Sequence, residues 1–389
     1  MFSTRTEWKL TANRFSEILD LKKQQHAVLT DLTISNPTEA GFVFDETLIF
    51  QSMSKQENLK YQPEPQGLLQ AREAISAYYQ AKGCHVSSDS IFLTSGTSEA
   101  YAFLFKLLMN PDDEVLVPQP GYPLLNYLGM LECVRLIRYP SRYHAGSGWS
   151  IDLELLDALL YGSAKALVLV NPNNPTGSFL KQNELEFINQ SKHDFSIICD
   201  EVFNDYPLGS PESQVPTLVE NHERLTFVLS GLSKICGLPQ MKLSWIVVAG
   251  PADLKKEAIK RLEVIADTFL SVGTPVQQGL MALLDTRQQI QTQIHHRIQT
   301  NFEKLGNLLK NSGFVPPLIC EGGWYAVLLL SWDQDEELIT EDLLLRHNIC
   351  LHPGYFYDFD NSHTLVISLL TPPDIFESGV KGLITYLSE

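Results

Sequence analysis

At 389 residues the chain exceeds the length at which single hydrophobic cores usually divide, so one large and one smaller domain are expected. Its 46 acidic and 29 basic residues give a formal charge of −17, which argues against nucleic-acid binding and against attraction to anionic membranes. An anionic ligand must then be held by a local pocket against the overall field, and the simplest role of the charge is solubility.

The first residues, MFSTRTEWKLTANRF, carry no apolar core between a basic flank and a cleavage site, so no signal peptide is expected. No run approaches the roughly eighteen apolar residues of a membrane-spanning helix. Residues 1–44 are expected to join residues 281–389 in a small α+β domain, with 45–280 as the large domain. From Ile91 to Val248, short β-branched runs alternate with helical patterns. SIFLTSG reads as a strand and a glycine turn. SEAYAFLFKLLMN follows as a helix, because Ala100, Phe103, Leu104, Leu107 and Leu108 fall on one face. DEVLVPQPGYP, VRLIRYP, KALVLVNPNNPTG, FSIICDEVF, LTFVLSGLSK and LSWIVVAG read as further strands. Near-continuous apolar strands separated by helices predict an α/β fold with a mostly parallel sheet flanked by helices. A long amphipathic helix is expected around Thr286 to Asn311, followed by strands in GGWYAVLLL, ICLHPGYFY and HTLVISLL. The cysteines, Cys84, Cys133, Cys199, Cys236, Cys320 and Cys350, form no CxxC pair and no metal-spaced Cys/His cluster. They read as reduced thiols of a cytoplasmic protein, with Cys236 a packing residue.

Ligands on open sheets of this kind bind beyond the C-terminal strand ends. Gly96, Tyr122, Asn174, Asp200 and Lys234 are all expected there. TSGTSEA, Thr94 to Ala100, puts a glycine turn and hydroxyls at a helix N-terminus, which suits either a phosphate or an ordinary Ser/Thr cap. Asp200 ends an apolar strand, where a buried carboxylate needs a partner: a cationic ring nitrogen, a backbone N–H or an arginine. Asn174 in NPNNPTG reads equally as a turn residue, and Tyr122 in PGYP as a packing aromatic. Lys234, in LSGLSKICGLPQMKLSW, supplies an amine that forms a Schiff base if burial or a cationic neighbour lowers its pKa. A phosphate seat, a carboxylate, a flat aromatic and an amine are the parts that hold pyridoxal phosphate.

With these motifs in this order, the sequence resembles the class I/II aminotransferases, fold-type I pyridoxal-phosphate enzymes, from about Asp31 to Leu387. The resemblance implies Lys234 as the Schiff-base lysine and proton carrier, and Asp200 as partner of the pyridinium nitrogen. Asn174 would bond the ring oxygen and Tyr122 would cover the ring face. Gly96, Thr97, Ser98 and Ser233 would hold the phosphate, with Lys242. Tyr61, in YQPEPQG, would reach the phosphate of a partner subunit, which implies a homodimer with shared sites.

Three departures accompany the resemblance. Lys242 stands where the family usually has arginine, and Phe203 where it usually has a tyrosine bonded to the ring oxygen. Counting from Pro353-Gly354, the carboxylate-binding arginine falls on Val366, and no arginine follows Arg346. Replacement candidates are His363, Trp324, Arg346 and the Ser35 to Thr38 segment, with Asn36 and Trp324 named as substrate contacts. The function expected is a ping-pong aminotransferase with an unassigned amino donor and a 2-oxo acid acceptor. A C–S lyase or decarboxylase on the same cofactor, or a non-catalytic cofactor-binding protein, are the alternatives.

Overall fold

The computed structural model describes residues 1–8, 10–209, 214–331, 334–360 and 363–389. The apolar runs of its middle part become an eight-stranded sheet. Its strands are β1 (Ile91–Thr94), β2 (Glu114–Gln119), β3 (Arg135–His144), β4 (Gly148–Ile151), β5 (Ala164–Val170), β6 (Ser196–Asp200), β7 (Thr226–Gly231) and β8 (Ser244–Ala249). Their order across the sheet is β1-β8-β7-β6-β5-β2-β3-β4. From β7 to β3 all neighbours are parallel, whereas β8 is antiparallel to both of its neighbours and β4 to β3. The sheet is therefore mostly parallel, as the uninterrupted apolar runs required.

Every residue of β7 and β8 is buried, which is why these strands show no polar alternation. One face of the sheet packs on helix α1 (Thr97–Leu108) through Ala100, Phe103 and Leu104, and on helix Ala252–Phe269 through Leu262. The other face packs on helices Leu69–Ala81 and Thr274–Asp285 through Ile75, Tyr79, Leu280 and Leu283.

Register brings the strand ends together. Thr94 of β1 pairs with Ser244 of β8, and Ser244 pairs with Gly231 of β7. Asp200 of β6 pairs with Leu229 of β7 and with Val170 of β5. The chain thus leaves β1, β5, β6 and β7 at one edge of the sheet, the same edge at which it enters β8.

A second core forms around a three-stranded antiparallel sheet, in which β11 (Thr364–Ser368) lies between β9 (Tyr325–Leu329) and β10 (His352–Pro353). The expected long helix, α2 (Arg287–Asn311), buries Ile290, Ile294, Ile298, Leu305 and Leu309 in this core, with Ala326, Leu328, Leu365 and Ile367. The N-terminal segment joins it: Thr30–Asp31 pairs with Ile349–Cys350, and Leu32 is buried in the same core. Among the described residues no helix is long and apolar enough to cross a membrane, and no cluster of metal-ligating side chains occurs.

Candidate active site

At the shared sheet edge Gly96 is the N-cap of α1, and no side chain caps that helix. The N–H groups of its first turn are left for a ligand or water, beside the Thr97 and Ser98 hydroxyls. Glu99, in the same turn, is already engaged: its Oε2 accepts from the Ser95 N–H (2.7 Å) and the Ser271 hydroxyl (2.6 Å). Beyond β7 the chain makes one helical turn, Leu232–Ile235, holding Ser233 and Lys234. Gly231 is required just before it, because an added Cβ would lie 2.2 Å from the Ser244 hydroxyl oxygen. The Leu232 N–H bonds the Leu243 carbonyl at 3.0 Å, so Lys242, one residue further, stands opposite Ser233. Lys242 is exposed and takes a left-handed backbone conformation, φ 51°.

Asp200 is buried at the end of β6. Its Oδ1 accepts from the Val202 N–H (3.1 Å) and its Oδ2 from the Tyr101 hydroxyl (3.3 Å). Burial raises its carboxyl to about 6, and those bonds and the Lys234 amine limit the rise. Burial lowers the Lys234 amine to about 8, opposed by Asp200. That nitrogen lies 4.6 Å from the Trp324 ring centroid and 5.2 Å from that of Phe203. The backbone of Lys234 is held as well, its carbonyl accepting from the Tyr206 hydroxyl at 2.6 Å. Tyr122 is close enough to feel Asp200; burial first, then that carboxylate, push its phenol up to about 12.

Asn174 follows β5, buried, and its Oδ1 has no hydrogen-bond partner among the described residues. A buried amide in that condition calls for one, and a half-turn of the amide offers either a donor or an acceptor. A bound aromatic ring carrying a polar oxygen would supply it. The buried amine, the carboxylate, the orphaned amide and the uncapped helix therefore fit pyridoxal phosphate.

The sequence matches the family description "Aminotransferase class I and II" over residues 25–375. The chain belongs to this family. It is 26% identical to the glutamate-pyruvate aminotransferase AlaA of Haemophilus influenzae, over 96% of this chain and 94% of that protein. It is 29% identical to the Escherichia coli protein of the same name, over 91% and 89%. The fold is shared with a solved aminotransferase from Escherichia coli (TM-score 0.87, 24% identity, 100% and 98% covered). An alanine aminotransferase from Pyrococcus furiosus matches equally well (TM-score 0.87, 20% identity, both chains covered in full). The protein is thus a pyridoxal-phosphate-dependent enzyme that transfers amino groups.

The residues expected around an aminotransferase substrate fare unequally. Trp324 is fully buried, edge-on to Phe203 (5.3 Å) and Tyr206 (5.1 Å), and its indole N–H has no partner among the described residues. It belongs with Lys234. Asn36 spends its Oδ1 on its own loop, accepting from the Thr38 N–H (3.1 Å) and hydroxyl (2.9 Å). Arg346 pairs with Asp342 at 2.7 Å on the surface of helix Glu336–His347, and His363 Nδ1 meets the Gln334 carbonyl at 2.7 Å. Tyr61 is 76% exposed and lines a surface groove with Glu64, Leu93, Phe103 and Leu270. Val366 is fully buried in β11, opposite Val327 and His352. Cys236 packs, its thiol pushed well up by burial and directed at the Leu283 carbonyl.

Sequence reading missed Tyr101, Tyr206, Tyr325, Tyr357 and His352. Tyr101 had one signal, a position one helical turn after Thr97 that faces the same way. The others had none, because an aromatic in an apolar run reads as core.

Proposed function

We propose that the protein transfers an amino group from an amino donor to a 2-oxo acid in two half-reactions through one site, centred on Lys234. The observation that carries this reading is the Lys234 amine, buried beside Asp200 with its pKa lowered to about 8. When bound, pyridoxal phosphate supplies an aldehyde for the amine and a ring that withdraws electrons. The remaining work falls to side chains. Lys234 would hold the cofactor and, once displaced by a donor, carry a proton on its Nζ to and from the amine-bearing carbon. Asp200 would keep the ring nitrogen protonated. Asn174 would bond the ring oxygen, and Tyr122 would cover the ring face. The helix start at Gly96, Thr97 and Ser98 would hold the phosphate with Ser233 and Lys242.

A homodimer in the cytoplasm is part of this reading, with Tyr61 given to the partner's phosphate. The exposure of Tyr61 supports the first point and six free cysteines support the second. Two domains are also part of it, 45–280 and 1–44 with 281–389; separate cores support that division. The names of the curated relatives make glutamate and pyruvate the first pair to assay.

The test is the absorbance spectrum of cofactor-loaded enzyme as single donors are added without acceptor, with Lys234→Ala as control. Conversion of the bound cofactor to its amine form, reversed by a 2-oxo acid, supports the reading. Release of ammonia and a keto acid with no conversion would place the chemistry with the lyases instead.

A further inference from the structure

Strand β11 has two faces. Leu365 and Ile367 enter the core under α2, whereas Val366 lies among Trp149, Leu318, Val327, Tyr357 and Phe359. Tyr325 packs against this second cluster and joins it to the Lys234 site. Its ring is 6.3 Å from that of Phe203, and its neighbour Trp324 covers the Lys234 amine. The Val366 surface is thus continuous with the surroundings of Lys234.

The polar groups of that surface are uncharged: the hydroxyls of Tyr325, Tyr357 and Ser35, the Trp149 indole N–H and the His352 imidazole. Burial raises the phenol of Tyr325, while the hydroxyls of Ser35 and Tyr357, directed at its oxygen, restrain the rise. The Tyr325 and Tyr357 rings are 6.1 Å apart, and the Tyr357 hydroxyl meets His352 Nδ1 at 3.1 Å. His352 is the cross-strand neighbour of Val366, and burial lowers its imidazole to about 4, so it is neutral at pH 7. The segment bearing Ser35 is docked on the same strand: the Ser368 hydroxyl donates to the Ile34 carbonyl, and the Ser368 N–H to that of Leu32 at 2.7 Å. Among the described residues the groups that perturb Tyr122, Tyr325, Tyr357 and His352 are carboxylates and hydroxyls, and the arginines beside this cluster are already paired, Arg138 with Asp358 and Arg142 with Asp152. Beside Asp200 the cation is Lys234 itself.

A substituent next to the substrate amine, turned toward Val366, therefore meets uncharged donors. An arginine there would favour a carboxylate through a bidentate charged pair. An uncharged wall sets two effects in opposition. A carboxylate accepts the stronger hydrogen bond, yet loses more hydration on entering a wall without countercharge. Resting on the aminotransferase reading above, we propose that the hydroxyls of Tyr325 and Ser35 recognise this substituent with little regard to its charge. Amino-acid amides and other amines with a neutral carbonyl beside the amine are then donors on a par with free amino acids.

The test is calorimetric titration of the cofactor-loaded enzyme with 2-aminoisobutyric acid and with its primary amide. Neither has a hydrogen on the amine-bearing carbon, so binding is read apart from transfer. The two dissociation constants are expected within about tenfold of each other, the span of one hydrogen bond. Tyr325→Phe and Ser35→Ala should each weaken both ligands by about three- to tenfold. If Tyr325→Phe does not fold, Ser35→Ala carries the comparison. Acid binding about a hundredfold or more tighter than amide, or no binding of the amide, overturns the proposal, as do unchanged affinities in the variants. Failure of the aminotransferase reading is seen separately, as an unconverted cofactor spectrum with every donor that does carry the hydrogen.

Discussion

Burial takes the Lys234 amine to about 8 from an ordinary 10.5, and the Asp200 carboxylate keeps it from falling further. Only the unprotonated amine attacks an aldehyde. At pH 7.5 about a quarter of such an amine is unprotonated, against about a thousandth of a solvated lysine. The apoprotein should therefore take up pyridoxal phosphate at a rate that climbs with pH and levels off above about 8. Stopped-flow absorbance checks this, and a midpoint near 10.5 would show a solvated lysine. Phe203 sits 5.2 Å from the same amine without a donor to offer. Phe203→Tyr adds one, and the pH at which the bound cofactor's visible band changes should fall by about one unit, the worth of one hydrogen bond. Lys234 and Asp200 were legible in the sequence because a motif surrounds each. Tyr101 and Tyr206 were not, since their hydroxyls find Asp200 and the Lys234 carbonyl only after strands far apart in sequence become neighbours.

The elements place these groups by ending together. Strands β1, β5, β6 and β7 deliver Gly96, Asn174, Asp200 and Lys234 to one edge, and the entry to β8 adds Lys242. The strands themselves were readable as apolar runs, but their order was not. A strand buried on both faces has no alternation to mark its neighbours, so the insertion of β8 between β1 and β7 left no trace in the sequence. The residue after Asp200 shows how such an edge is fastened. Glu201 is buried, accepting from the Thr217 hydroxyl (2.6 Å) and the Leu218 N–H (2.8 Å), which ties a distant loop to the end of β6. Burial raises its carboxyl to about 7 from 4.5, and those bonds oppose the rise. The folded state thus holds this proton more tightly than the unfolded chain. The resulting stabilisation is complete below about pH 4 and is lost as pH rises through 7, a change on the order of 3 kcal/mol. Glu201→Gln cannot titrate, so the stability gap between it and the parent apoprotein should shift by that amount between pH 4 and 7.5. Urea unfolding at a series of pH values measures it, and a constant gap would mean that folding leaves the Glu201 pKa unshifted.

At the scale of the whole molecule, the fold class could be read from alternating strands and helices, and a smaller second core from the changed pattern after Thr286. The homodimer proposed above turns on Tyr61. Tyr61 is 76% exposed on a groove, while the uncapped helix start at Gly96 is assembled without it. A large aromatic left in water within a motif of the family is explained if a second copy covers it and receives its hydroxyl. Two-fold symmetry then makes each site a composite of both subunits. Lys234→Ala and Tyr61→Ala fail in different halves of that composite: the first lacks the amine in its own site, and the second spoils the site of its partner. Mixed after reversible dissociation, the two variants form hybrids in which one site has both residues and the other has neither. Activity should return to about a quarter of the parent value, because random pairing makes about half the dimers hybrid and one site in each is whole. Size-exclusion chromatography with light scattering, run on the same mixture, checks that hybrids have the mass of two chains. Recovery at that mass requires Tyr61 to act across the interface. No recovery from a confirmed hybrid would mean that each chain completes its own site.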